Sequence, residues 1–440
     1  MLSRHLEHAL VEWMHADKRK PLIVRGARQV GKSYLIEHFG KEYFENVLVI
    51  NFELETKYKA CFQTLQPDMI CNAIRAISHQ KINPGKTLLF FDEIQDCKEA
   101  IQSLRYFKEK MPELHIISAG SLLELVLREA DFRMPVGRVS FMYLYPLTFK
   151  EFVTNYNPEA LEYINTATLT TPTPEAIHQH LHSLLKIYVL LGGLPESIAS
   201  YRDNQNIDHV QSVQSEILDT YYSDLGHFAE NANIHDLRTC FKQIPLMIGQ
   251  QIKYNKINPE AKSKDLKNAL LTLELTGLTQ RVKSTAAQGI PLDAFINEKK
   301  FKINFVDVGL IKRLNQLDSE ILLSSNIMLA NKGGLAEQFV GQELLAYGKS
   351  YEKRNLYYWA RDRPGVAEVD YVIDHRERIY PIEVKSGKTG RLRSLKQFML
   401  EHPGSLGIRL SESPLAKQED ILSIPLYLVS EIHRLLDEVD

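Results

Sequence analysis

Two stretches of the sequence carry side chains whose types and spacing could do chemistry. The first is "GARQVGKS", residues 26–33, which fits G-x-x-x-x-G-K-[ST] and is followed by Tyr34 and the helical run "YLIEHF". Glycines in such a run let the backbone curl until its N–H groups point at an anion, and the helix start adds its positive end. Gly26, Ala27, Arg28, Gln29, Val30, Gly31, Lys32, Ser33 and Tyr34 would form the cradle. Within it Lys32 would reach the β- and γ-phosphates and Ser33 would ligate Mg²⁺. A partner stretch, "TLLFFDEIQD", is a continuous apolar run ending in Asp92 and Glu93. Carboxylates at a strand's C-terminal end lie where α/β sheets bind ligands. Asp92 can complete the Mg²⁺ shell and Glu93 can orient and polarise a water.

Three more groups follow. "LHIISAGSLLELVL" runs a buried strand into Ser118 and Ser121, either of which reads as a γ-phosphate sensor or as a helix cap. In "MPVGRVSFMYLYPLTFKEF", Arg138 reads as an arginine finger reaching a neighbouring subunit, or as half of a salt bridge. The ordered series "RGARQVGKS", "LLFFDEIQ", "SAGS", "GRVSFMYLYPLTFKEF" and "LGGLPE" resembles a family of prokaryotic AAA-type P-loop ATPases. Members carry a C-terminal domain of unknown function with a restriction-endonuclease-like core. The resemblance implies ATP and Mg²⁺ as cofactors. That family usually has Ser-Ser after the glycine of its third strand. Here the pair is Ser121-Leu122, so Ser118 and Ser121 both stay candidates.

The second chemical stretch is "EVDYVIDHRERIYPIEVKSG", residues 368–387. A strand has a period of two, so Glu383 and Lys385 share one face of "PIEVKS", and Glu368 and Asp370 share one face of "EVDYVI". Glu337 lies upstream in a helical run. Glu337, Asp370, Glu383 and Lys385 give the acidic-helix, D, E-x-K pattern of restriction-endonuclease-like nucleases. Oxygen ligands there would hold a second Mg²⁺ or Mn²⁺, and Lys385 would orient the nucleophile or neutralise developing charge. An exposed carboxylate–lysine pair on a sheet face is the plain alternative. Lys388, Arg391, Arg393 and Lys396 follow as a phosphate-contacting stripe or a solvated basic helix. His178, His180 and His182 alternate within a helical stretch and point to different faces, so no metal is expected there.

These groups need elements to hold them. The chain is α/β in class, with an expected AAA-type P-loop domain over 1–150, a helical lid over 151–235, a winged-helix-like segment over 236–300 and a restriction-endonuclease-like domain over 301–440. At 440 residues it exceeds what one core serves. Within 251–300, "SKDLKNALLTLELTGLTQRVKS" reads as helix, tight turn at Gly277 and strand, and nine Lys/Arg stand against five Asp/Glu. DNA contact or internal packing would both suit it. The whole-chain balance of 53 Lys+Arg against 55 Asp+Glu gives no global pull toward nucleic acid or membrane. Four cysteines without metal spacing suit a reducing, cytoplasmic setting. The N-terminal run reads as an amphipathic helix through Leu2, Leu6, Leu10 and Trp13, and no apolar run is long enough to cross a bilayer. ATP and ADP, DNA and further copies of the chain are the expected partners.

Overall fold

The computed structural model describes residues 2–126, 134–135, 137–171, 173–228, 232–317, 333–361, 367–385 and 392–439. Strands β1 (Leu22–Arg25), β2 (Asn46–Asn51), β3 (Thr87–Asp92), β4 (His115–Ala119) and β5 (Ser140–Tyr143) form one sheet in the order β2-β3-β4-β1-β5. Every pairing in it is parallel. A parallel sheet is covered on both faces, and "TLLFFD" is accordingly buried at all its positions. The helix Lys32–Tyr43 lies against one face, in a core with Leu88 and Phe90. The helix Lys98–Lys110 lies against the other, with Leu89 and Phe91.

The N-terminal helix Leu6–His15 buries Leu6, Leu10 and Trp13. Past β5 the chain turns helical at Thr148, whose hydroxyl accepts from Glu151 N (3.1 Å) while Glu151 Oε2 accepts from Thr148 N (2.9 Å). Helices Glu175–Leu191, Pro195–Asn204 and Ile207–Asp224 follow. His178 is buried, bonded to Tyr427 Oη (2.8 Å) and the Glu412 carbonyl (3.1 Å). His180 is exposed.

The helix Ser263–Leu275 buries Leu266, Leu270 and Leu273 and ends in a turn with Gly277 at φ +79°. A hairpin of β6 (Thr279–Thr285) and β7 (Ile296–Phe305) comes next. That hairpin does not stand alone. It is one edge of an eight-stranded mixed sheet completed by β8 (Leu356–Ala360), β9 (Glu368–His375), β10 (Arg378–Val384), β11 (Gly407–Ser411), β12 (Ala416–Gln418) and β13 (Ile421–Pro425). The order is β12-β13-β11-β10-β9-β8-β6-β7. The boundary expected at residue 300 therefore falls inside β7. Within this sheet β8, β9 and β10 form an antiparallel meander, the helix Arg393–Glu401 follows, and β11 returns parallel to β10. The helix Gly334–Ala346 packs against β7, β8 and β10. Trp359 is buried against Phe398, their rings 5.3 Å apart.

Candidate functional sites

The loop after β1 forms because glycine alone fits its first position: a Cβ on Gly26 would stand 2.1 Å from the Leu144 carbonyl oxygen. Gly31, at φ +90°, starts the helix whose first two residues are Lys32 and Ser33. Lys32 is buried, and its Nζ donates to the loop carbonyls of Gly26 (3.0 Å) and Ala27 (2.7 Å). Burial pushes the ammonium down to about 8, against the pull of Glu93 and Asp92. Ser33 Oγ donates to Asp92 Oδ2 (2.9 Å), and Asn51 Nδ2 donates to the same oxygen (3.2 Å). Burial raises the Asp92 carboxyl while the Ser33 hydrogen bond opposes it. The Ser33 hydroxyl and the Asp92 carboxylate converge as a Mg²⁺ shell requires, so this donor set fits that ion. Glu93 sits at the turn leaving β3, at φ 46°, and its Oε2 accepts from Gln95 Nε2 (2.7 Å).

Residues remote in sequence brace this loop. The Arg4 guanidinium donates to Val30 O (2.9 Å) and Tyr145 O (2.6 Å) and pairs with Glu151 (3.1 Å). Tyr221 Oη donates to Arg28 O (2.7 Å), and the Arg28 guanidinium pairs with Asp224 (2.8 Å). The turn at Gly277 abuts Ala27: a Cβ on Gly277 would lie 3.2 Å from Ala27 Cα. Beside Gly31 a largely apolar cavity of about 290 Å³ is lined by Tyr34, Leu35, Leu147, Pro195 and Ala199, with Arg4, Glu196 and Arg202 as its charged groups. Pro195 belongs to the "GGLPE" block. No local pattern marks Arg4, Asn51, Tyr221 or Asp224, because each contact closes only when elements distant in sequence come together.

Ser118 and Ser121 both stand at the end of β4. The buried Ser118 hydroxyl has no hydrogen-bond partner among the described residues, and Ser121 shares a cavity wall with Gly26 and Ala27. Arg138 is elsewhere. It precedes β5 by two residues, and β5 starts level with the first residue of β1, so Arg138 lies at the sheet edge opposite the loop. Its guanidinium pairs on the surface with Glu109 (3.0 Å). A finger role inside its own chain is thereby removed.

In the second sheet, Glu337 from the helix Gly334–Ala346, Glu368 and Asp370 from β9, and Glu383 at the end of β10 come together. The structure adds a residue that the motif does not contain. Lys302 of β7, 3% exposed, places Nζ 3.2 Å from Glu337, 2.6 Å from Glu368 and 3.8 Å from Asp370. Burial would lower that ammonium, but the three carboxylates outweigh it and hold it well above its ordinary value. Asp370 Oδ2 accepts from Val384 N (2.7 Å). Glu383 Oε1 accepts from Lys385 Nζ, whereas its Oε2 is buried with no partner among the described residues. Burial, then the Asp370 charge, pushes Glu383 up to about 7, and the same two causes push Glu337 up to about 8.

The expected ligand trio of Glu337, Asp370 and Glu383 is therefore not arranged around one gap. Among the described residues no group of three such side chains is set to hold a metal ion. The physical reason is that Lys302 stands between Glu337 and Asp370. Asp370 and Glu383 remain, and the orphaned Glu383 oxygen fits a cation ligand. Of the basic stripe, Lys388 and Arg391 lie outside the described residues, while Arg393 and Lys396 are on the helix Arg393–Glu401.

Residues 18–153 match the family model described as an AAA domain. Residues 182–321 and 332–427 match two domains of unknown function, DUF8612 and DUF4143. No curated protein matches the chain. Among solved structures, a Walker-type ATPase of Pyrococcus abyssi is 16% identical, with 72% of this chain covering 96% of it at a TM-score of 0.46. The Aeropyrum pernix ORC1 protein, solved in complex with DNA, is 10% identical over 73% of this chain and 93% of its own, at 0.30. The Thermotoga maritima RuvB branch migration motor is 15% identical over 64% and 90%, at 0.26. The glycine loop, the strand-end carboxylates and the match to the AAA-domain model all fall on one stretch, the first third of this chain.

Proposed function

We propose that the chain is a Mg²⁺-dependent ATP hydrolase whose turnover repositions a C-terminal module that acts on or binds DNA. The observation that carries the first half is the convergence of Lys32, Ser33, Asp92 and Glu93 at one edge of the parallel sheet. On this reading the loop N–H groups and Lys32 hold the phosphates. Ser33 and Asp92 would hold Mg²⁺, which would supply charge neutralisation to the phosphates. Glu93, steadied by Gln95, orients the attacking water and takes its proton. The apolar cavity beside Gly31 takes the base, with Pro195 against its face. Ser118 or Ser121 senses the γ-phosphate, and Arg138 would act only on a neighbouring copy. Lys32→Ala should abolish ATP hydrolysis; unchanged turnover in purified protein sinks the assignment. Glu93→Gln should keep nucleotide binding and lower kcat by roughly 10²-fold.

The second half rests on the C-terminal cluster. Helix, three-stranded meander, helix and parallel fourth strand is the arrangement a restriction-endonuclease-like core would have. The unpartnered Glu383 oxygen supports a cation held by Asp370 and Glu383 with Lys385 beside it. Exposed Lys253, Lys256, Lys262, Lys264 and Lys267 around the helix Ser263–Leu275 support contact with a phosphate backbone. Mg²⁺- or Mn²⁺-dependent cleavage, assayed with and without ATP on the parent and Lys385→Ala, decides among three outcomes. Loss of cleavage in the variant supports a nuclease. Salt-sensitive DNA binding without cleavage supports an ATP-regulated binding switch. Neither supports a remodeller directed at proteins.

A further inference from the structure

The four carboxylates of the C-terminal cluster are not equally placed for a metal. Glu337 and Glu368 are each bonded to Lys302 Nζ, at 3.2 and 2.6 Å. Asp370 stands between the two halves, with Oδ1 3.8 Å from the ammonium and its other oxygen on the Val384 amide. Glu383, near enough to feel the Asp370 charge, leaves Oε2 buried and without a hydrogen-bond partner among the described residues. One half of the cluster thus has an ammonium in contact with two carboxylates, while the other half, where Lys385 bonds only Glu383 Oε1, keeps a carboxylate oxygen without a partner among the described residues.

Lys302 is fixed in that place. It projects from β7, 3% exposed, with Nζ 5.3 Å from the centre of the Tyr358 ring, in a strand whose neighbour Asn304 is bonded to Tyr371 (3.2 Å). Tyr371 in turn donates to the Glu337 carbonyl (2.8 Å). The ammonium is therefore held from the sheet side and from the helix side.

The same geometry fixes a stoichiometry. A second divalent ion would need the place between Glu337 and Glu368 that the Lys302 ammonium already fills, and two cations crowded at one largely desolvated position are costly.

We infer that the Lys302 ammonium is a built-in second cation of this cluster, so that the site takes one divalent metal ion, held by Asp370 and Glu383. The inference rests on the metal reading of the C-terminal site. It assigns to the hairpin strand β7, outside the D, E-x-K motif, a positioning residue on which the site's cation count depends.

The test is Mn²⁺ binding to the full chain without nucleotide, followed by the EPR signal of the free ion. Asp370→Asn, made in each background, subtracts ions held elsewhere, because Asp370 adjoins both halves of the cluster. The parent should exceed its Asp370→Asn derivative by one Mn²⁺ per chain. Lys302→Met, which keeps the buried stem and removes the charge, should exceed its own derivative by two. A difference of two in the parent overturns the inference, as does a difference of one in Lys302→Met. A difference of zero in the parent removes the metal site itself, which is a separate failure. Should Lys302→Met not fold, parent crystals soaked in Mn²⁺ decide: one anomalous peak beside Asp370 and Glu383 is expected, and a second beside Glu337 and Glu368 overturns the inference.

Discussion

At the scale of single residues, the phosphate loop was legible in the sequence because its chemistry is contiguous. Eight consecutive positions and a strand-end carboxylate pair specify it, and no distant packing is needed to recognise them. Lys302 had no such signal: its neighbours Glu337, Glu368 and Asp370 reach it only after β7 and β9 enter one sheet on either side of β8 and β6. His115 gives a test at this scale. Its ring lies between Trp13 and Phe44, with centroids 5.9 and 4.8 Å away, and burial pushes its imidazolium down to about 4. The unfolded chain protonates near 6.5, so between there and about 4 it binds a proton that the folded chain refuses. Stability present above pH 6.5 is lost as pH falls through that window, by up to about 1.4 kcal/mol per pH unit. His115→Phe should narrow the gap between urea midpoints measured at pH 7.5 and pH 5; an unchanged gap would refute the explanation.

At the scale of elements, the parallel strands were readable from continuous apolar runs, and the helix Ser263–Leu275 from its leucine stripe. The place of the β6–β7 hairpin was not readable, because strand alternation says that a strand pairs and not with whom. The turn joining that helix to β6 is where the nucleotide loop and the second sheet meet. Gly277→Ala would add a Cβ at φ +79° against Ala27. A loss of about 1 kcal/mol in stability is expected from the backbone alone. Weaker ATP binding should accompany it, beyond what an alanine at the solvent-open, positive-φ Gly404 produces. Equal ATP affinity in the two variants would show that the contact does not reach the nucleotide.

At the scale of the whole molecule, the helix Gly334–Ala346 ties the second sheet to the helices that follow β5. Near its start it carries Glu337 into the acidic cluster. Near its end Glu343 accepts from Phe149 N (3.0 Å), at the start of the helix Phe149–Tyr156, and from Tyr188 Oη (3.3 Å) in the helix Glu175–Leu191. Burial raises the Glu343 carboxyl to about 8. Glu343→Ala would strand the Phe149 amide, at about 1–3 kcal/mol, while Tyr188 keeps its bond to the Leu147 carbonyl (2.6 Å). In the parent, ATP should alter hydrogen exchange in β9 and β10; in Glu343→Ala that response should shrink while ATP binding persists. A full response in the variant would rule this helix out as the link. The shared eight-stranded sheet also decides where the polypeptide can be dissected. A scission at residue 300 halves β7 and removes its partner β6, so a fragment beginning there would expose the flank of β8 as an unpaired, aggregation-prone margin. Only pieces that retain the hairpin and the helices leading into it should refold alone.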